Sequence, residues 1–202
     1  MGLSPLSGVV RAVNLVEPNA ALLVIMSELS NLLAPPILLT NPRRNFSETR
    51  TGKRTESTFA LSFARTFVSS MPHRPILVAR ELSMNGYGIA DLVCVMRTPQ
   101  AKQGLFAFEI KMSDWRKALS QAYRYRYFAN KAVVILPISD AERARLFLST
   151  FKALGIGLWA FDKNSGHIKR IYTPRYRRPL NPAAKEKALN MLQAKTKFQP
   201  VS

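Results

Sequence analysis

Two apolar segments of strand length, each interrupted by one acidic residue, do most to limit the folds open to this chain. Residues 88–93 read Gly-Ile-Ala-Asp-Leu-Val and contain Asp91, and residues 105–111 contain Glu109 shortly before their end. Apolar residues on both faces are typical of a buried strand. A charge in a buried strand costs free energy unless it is paired or bound to a metal ion. The sequence therefore predicts a specific partner for both carboxylates.

Side-chain alternation predicts that the two carboxylates meet at one spot. Glu109 and Lys111 are two residues apart and therefore share one face of their strand. Residues 85–88 form a predicted turn, and if the two segments pair as neighbouring strands, Asp91 can reach Glu109. Close carboxylates repel each other, and a hard cation such as Mg²⁺ or Mn²⁺ relieves this repulsion through oxygen ligands. Lys111 would then orient a water molecule or stabilise charge on a phosphate.

Strand-length and helix-length segments alternate along the chain, which indicates an α/β fold. The predicted strands cover about 76–82, 88–96, 104–111, 131–137, 155–161 and 167–172. The predicted helices cover about 18–34, 55–70, 113–128 and 182–195, and a further helix begins near residue 139. Ser113 is a predicted N-cap, and Ser139 with Glu142 forms a predicted capping box.

Three motifs in order give this chain a resemblance to a known family. The G-x-x-D-L-V segment with Asp91, followed by the Glu109-Ile110-Lys111 triplet, resembles the PD-(D/E)xK nuclease superfamily. Residue 90 is Ala where the superfamily has Pro, but only the Asp of that pair binds metal. Gln121 and Tyr125 match the Q-x-x-x-Y motif of the RecB-like branch. The order of elements and the basic tail are also similar to a bacterial DNA-repair group within the superfamily.

The resemblance implies a domain organisation and a fold. A restriction-endonuclease-like αβββαβ core, with a mixed central sheet flanked by helices, is expected over residues 55–172. Residues 1–54 would form an N-terminal helical extension with a basic linker, and residues 173–202 a basic loop with a C-terminal helix.

The resemblance also implies a metal site. Asp91, Glu109 and the backbone carbonyl of Ile110 are the expected ligands of Mg²⁺ or Mn²⁺. Members of the superfamily often add an acidic residue from the first core helix. Glu56 on that helix and Glu81 at the end of the predicted strand over residues 76–82 are both candidates, and the sequence does not choose between them.

The expected function is that of a Mg²⁺-dependent deoxyribonuclease, an endonuclease or DNA-processing protein of repair, recombination or phage defence. Lys111 would serve the attacking water, and Gln121 and Tyr125 would align the substrate. The alternative is a catalytically inactive DNA-binding accessory protein on the same fold. A weaker third reading is an RNA-binding protein.

Charge points to the same class of partner. The chain has 30 Lys and Arg against 12 Asp and Glu, a net charge of +18. Such a balance favours a polyanion, and DNA is the first candidate. The alternative for each basic loop is an ordinary solvated surface. The residues expected to contact DNA are Arg43, Arg44, Arg124, Lys169, Arg170, Arg175, Arg177 and Arg178.

Other classes are disfavoured by composition. One cysteine, Cys94, and two histidines cannot form a closed Cys/His zinc site. No P-loop or G-x-S-x-G motif occurs, so we expect neither an ATP motor nor a serine-hydrolase site in this chain. No small-molecule cofactor is expected. The longest apolar segment, residues 20–26, is too short to span a bilayer, so we expect no membrane association and a cytoplasmic protein. A homodimer would suit a nuclease that cuts both strands.

Overall fold

A six-stranded mixed β-sheet forms the centre of the computed structural model, which describes residues 50–71, 75–97 and 103–197. The strands are β1 (Leu77–Met84), β2 (Gly88–Arg97), β3 (Gln103–Ile110), β4 (Lys131–Pro137), β5 (Ile156–Phe161) and β6 (Ile168–Tyr172). The helices in this part of the chain are α1 (Arg50–Ser70), α2 (Trp115–Tyr125), α3 (Ile138–Arg145), α4 (Leu148–Leu154) and α5 (Pro182–Lys197). The predicted α/β class is confirmed.

The strands lie in the sheet in the order in which they occur in the sequence. β1, β2 and β3 pair antiparallel, β3, β4 and β5 pair parallel, and β6 returns antiparallel at the edge. Gly86, with φ of 83°, provides the left-handed position in the turn between β1 and β2. Parallel neighbours need a crossover, and α2 supplies it between β3 and β4.

An aromatic stripe on α1 covers one face of the sheet. Phe59, Phe63 and Phe67 recur every four residues and are at most 3% exposed. They pack on side chains that alternate along the strands, including Phe108 and Ile110 of β3. Helix α2 covers the opposite face with Trp115, Ala118, Leu119, Ala122 and Tyr125. The end of β3 therefore lies between two helices, where groups from both faces can meet.

Three predictions about helix ends are wrong. Helix α1 begins at Arg50, so the basic loop predicted up to residue 54 is partly helical. Asp114, not Ser113, caps α2, because its side chain accepts a hydrogen bond from the Lys117 N–H at 3.1 Å. No side-chain cap forms at the start of α3, since Pro137 occupies the N-cap position and Ser139 donates to Asp140 instead.

Residues 173–181, here called the basic strap, follow β6 and run back along the sheet to α5. The strap is tied by main-chain bonds, with the Leu180 N–H donating to Arg126 O and the Asn181 N–H to Tyr127 O, both at 2.9 Å. Further along, the Lys195 ammonium group donates to the carbonyls of Arg80 and Glu81. Helix α5 thereby contacts β1.

Within the described residues, none of the helices combines the length and the apolar character needed to cross a membrane. The predicted helix over residues 18–34 lies outside the described residues.

Candidate active site

Asp91 lies where β2 and β3 separate. The ladder between these strands runs from Arg97↔Gln103 to Leu92↔Phe108 and stops one residue before Asp91. Beyond that point the Asp91 carboxylate takes the place of a strand partner, because its Oδ2 accepts the main-chain N–H of Ile110 at 2.7 Å. Asp91 is thus fixed beside the last residues of β3.

Glu109 points from β3 toward helix α2 and is only 1% exposed. Its Oε2 is in short hydrogen-bond contact with the hydroxyl of Tyr125, which also lies 2.6 Å from the carbonyl oxygen of Ile89. Tyr125 is itself 1% exposed, so it reaches Glu109 rather than solvent. Tyr125 therefore holds the buried carboxylate in place and links β2 to β3.

Both carboxyl groups are hard to ionise where they lie. Burial, with the charge of Asp91, raises the pKa of Glu109 to about 8. Burial also raises the pKa of Asp91 to about 6, although the hydrogen bond from Ile110 opposes the shift. Perturbed carboxyl groups at one spot are typical of functional sites, because such a site has a deficit of positive charge that a ligand can supply.

Lys111 bridges Glu109 to helix α1. Its Nζ lies 3.7 Å from Glu109 Oε1 and 2.9 Å from Glu56 Oε1. Burial alone would lower the pKa of Lys111, but the bond to Glu56 and the neighbouring carboxylates together raise it. Lys111 is therefore a stable cation at neutral pH, suited to attract a phosphate oxygen and unsuited to act as a base.

The two candidates for a third acidic ligand differ in position. Glu56 reaches Lys111, and its charge also raises the pKa of both Asp91 and Glu109. Glu81 is opposite Asp91 at a break in the β1–β2 ladder, with φ of 53° and a side chain that is 68% exposed. Its nearest ion-pair partner is Arg80 at 3.7 Å. The charge of Glu81 also raises the pKa of Asp91, but of the two candidates only Glu56 contacts Lys111.

Gln121 and Arg124 each present a buried polar atom that bonds no other described residue. Among the described residues, neither Gln121 Oε1 nor Arg124 Nε has a hydrogen-bond partner. Gln121 lies one helical turn before Tyr125, and the Arg124 guanidinium group lies beside Gly88, whose added Cβ would be 3.6 Å from Nη2. Buried polar atoms are costly to leave unsatisfied, so both groups have capacity for a bound water or ligand.

The other residues expected to contact DNA do not line this site. Lys169 is exposed on β6 and pairs with Glu142 at 2.8 Å. The Arg170 guanidinium group stacks over the Trp159 ring at 4.9 Å. Three more of the residues expected to contact DNA lie exposed in the basic strap, namely Arg175, Arg177 and Arg178. Arg43 and Arg44 lie outside the described residues.

The donors of the site match the chemistry of Mg²⁺ or Mn²⁺. Asp91 and Glu109 supply carboxylate oxygens, and the chain at Ile110 passes between them. Hard cations of this kind bind through one or two carboxylates and keep several waters. In the described part of the chain, no three His, Cys, Asp or Glu side chains form a metal-binding cluster.

Comparisons with known protein families, curated proteins and solved structures find no match to this chain.

Sequence reasoning missed two residues that shape the molecule near the basic strap. Asn130 is 3% exposed, and its Oδ1 accepts the N–H of Leu105 while its Nδ2 donates to Arg177 O. Arg126 is 9% exposed and donates to Leu154 O at 2.8 Å. An Asn directly before a buried strand is a weak signal for the first, and the sequence holds no signal that separates Arg126 from its arginine neighbour at 124.

Proposed function

We propose that this protein is a metal-dependent nuclease that hydrolyses phosphodiester bonds in DNA. The observation that carries the proposal is the buried pair Asp91 and Glu109 at the separation of β2 and β3, with the Lys111 ammonium group 3.7 Å from Glu109. A divalent cation held there would neutralise charge on the phosphate and make a water molecule a better nucleophile.

The arrangement of elements supports the resemblance to the PD-(D/E)xK superfamily. Helix α1 is followed by three antiparallel strands, then by α2 and by β4 parallel to β3. This is the αβββαβ order that a restriction-endonuclease-like core requires, and Asp91 and Glu109 occupy neighbouring strands within it.

Each side chain has a role that its contacts suit. Asp91 and Glu109 would bind the cation, with the Ile110 carbonyl as the expected third donor. Lys111 holds its proton and would attract a phosphate oxygen. Tyr125 orients Glu109 as a positioning residue, and burial with the Glu109 charge raises its pKa, so it stays a neutral phenol. Gln121 Oε1 would accept a hydrogen bond from a water molecule at the site.

A second candidate is a DNA-binding accessory protein without catalysis. The contact between Tyr125 and Glu109 Oε2, and the two carboxylates around Lys111 Nζ, favour it, because these bonds occupy groups that a nuclease would use. Such a protein would bind DNA and show no turnover in Mg²⁺.

Nicking of supercoiled plasmid, with Mg²⁺ or with EDTA, separates the two candidates. We expect nicking in Mg²⁺ and none in EDTA, and we expect Asp91→Asn to lower the rate by at least about 100-fold. Asn can still accept the Ile110 N–H, so this variant removes the charge and keeps the strand contact.

Asp162→Asn is the matched control. Asp162 lies in the turn between β5 and β6 and accepts the Asn164 N–H at 2.9 Å, a bond that Asn can also accept. The control should nick at the parent rate. If Asp91→Asn nicks as fast as the parent, the proposed metal site is wrong, and if the parent binds plasmid without nicking it, the accessory protein is favoured.

A further inference from the structure

Two arginine side chains meet beside Gly155, at the junction of α4 and β5. A Cβ atom at residue 155 would lie 2.8 Å from Arg126 Nη1 and 3.4 Å from Arg177 Nη1. Both guanidinium groups are therefore close to one point and adjacent to each other. Gly155, with φ of 66°, leaves the room that they occupy.

Within the described ranges of the chain, the pair lacks a compensating acid. Burial and the charge of Arg177 lower the pKa of Arg126, and no carboxylate of the described residues is among the groups that act on it. Arg126 satisfies one of its N–H groups with Leu154 O at 2.8 Å. A guanidinium group has five N–H donors, so most of the donors of the pair remain for an anion.

The main chain of Arg177 is held in position before any ligand binds. The Arg177 N–H donates to Asn130 O at 3.3 Å, and Asn130 Nδ2 donates to Arg177 O at 2.9 Å. Asn130 is in turn fixed by the Leu105 N–H at 3.0 Å. The strap returns to Arg126 itself through the bond from the Leu180 N–H. Because its main chain is already fixed, the exposed Arg177 side chain has less conformational freedom to lose when it binds an anion.

A further basic residue, Lys131, lies at the same end of the sheet. Burial and the charge of Arg170 lower the pKa of Lys131, the first residue of β4. Lys131 Nζ lies 5.5 Å from the centre of the Phe106 ring, and Arg170 stacks on Trp159. Lys131 thus adds positive charge at the start of β4, beside the start of β3, whereas Arg170 is level with Ile135 and Ile110 in the sheet.

We infer that Arg126 and Arg177 form a phosphate-binding clamp for the DNA backbone, separate from the carboxylate site. The inference rests on the proposed DNA substrate but not on cleavage. Leu105 and Glu109 are four residues apart on β3, about 13 Å along the strand. This span is shorter than the width of a DNA duplex, so one bound duplex can reach both the clamp and the carboxylates. Two guanidinium groups match the bidentate geometry of a phosphate.

DNA binding in EDTA tests the clamp, because it does not depend on catalysis. The variant is Arg177→Gln, whose backbone bonds to Asn130 are retained. We expect about fivefold weaker binding and a slope of log affinity against log salt that is smaller by about 1. Arg177→Lys should keep the salt slope and lose part of the affinity, because Lys keeps the charge but lacks the paired N–H donors of a guanidinium group. Thermal melting checks that each variant is folded.

Arg145→Gln is the matched control, since Arg145 is exposed on α3 and pairs with Glu142 at 3.2 Å. It removes the same charge and should leave the slope unchanged. An unchanged slope in Arg177→Gln, or an equal change in both variants, would overturn the clamp. Inorganic phosphate that raises the melting temperature of the parent but not of Arg177→Gln, without any change in DNA affinity, would overturn the assignment to DNA. If the parent does not nick plasmid but Arg177→Gln shows the smaller salt slope, the clamp is supported and only the proposed nuclease activity is wrong.

Discussion

Tyr125 has one hydroxyl proton and two oxygen neighbours, Glu109 Oε2 and the Ile89 carbonyl. The hydroxyl donates to Glu109 Oε2, and this hydrogen bond favours the ionised carboxylate. Burial and the charge of Asp91 act in the opposite direction and raise the pKa of Glu109 to about 8.

Replacement of Glu109 by Gln should change how stability depends on pH. In the parent, the raised pKa of Glu109 means that the unfolded chain loses its proton first as pH rises from the ordinary value of 4.5 toward about 8. The free energy of unfolding should therefore fall by up to about 1.4 kcal/mol per pH unit from this group across that window. Asp91 adds to the loss at lower pH, between 3.8 and about 6.

Urea unfolding in EDTA at several pH values measures this effect. Glu109→Gln should equal or fall below the parent in stability near pH 4 and exceed it near pH 8. Glu186→Gln, an exposed change on α5, should track the parent at every pH. Parallel curves for the parent and Glu109→Gln would mean that Glu109 is ionised in the folded protein.

At the scale of elements, the positions of the strands follow from the apolar segments, because a strand that is buried on both faces consists mainly of apolar residues. β4 was predicted over 131–137 and is Lys131–Pro137. Ends that depend on side-chain contacts were predicted poorly, since Asp114 caps α2 from a left-handed conformation that sequence spacing does not reveal. The motif residues Asp91, Glu109 and Lys111 do meet, but the tie from Glu56 on α1 to Lys111 depends on how a helix crosses a sheet end.

Replacement of Glu56 and of Glu81 separates the two candidates for the third acid. Glu56→Gln weakens the ion pair that holds Lys111, so we expect the Mg²⁺ concentration for half-maximal nicking to rise about tenfold. Glu81→Gln, with the same loss of charge on an exposed side chain, should leave this concentration within a factor of about two. The reverse order would assign the third position to Glu81.

At the scale of the whole molecule, the arginine clamp and the carboxylate site lie at opposite ends of β3. The carboxylates lie at the end of β3, and the clamp of Arg126 and Arg177 lies at its start, joined to it through Asn130. The net charge of +18 alone would suit any polyanion. The separation suits a ligand that is long enough to touch both ends, as a nucleic acid is.

Salt should therefore control binding of the parent to duplex DNA. If six to ten phosphates are contacted, affinity in EDTA should fall by about 10³- to 10⁵-fold between 50 and 200 mM salt. Fluorescence anisotropy with a labelled duplex measures this change. A weaker dependence would mean that the charge serves another partner, and tighter binding of RNA in competition would favour the RNA-binding alternative.

Because its carboxylate accepts the Ile110 N–H, Asp91 stabilises the contact between β2 and β3 as well as serving any catalytic role. Tyr125 has a similar double duty, whereas Gln121 Oε1 bonds no other described residue. A descendant of this protein that lost its activity would therefore keep Asp91 and Tyr125 for the sake of the fold. Gln121 would be the first of these residues to be substituted. Its presence or absence in a relative would therefore indicate whether that relative is still active on its substrate.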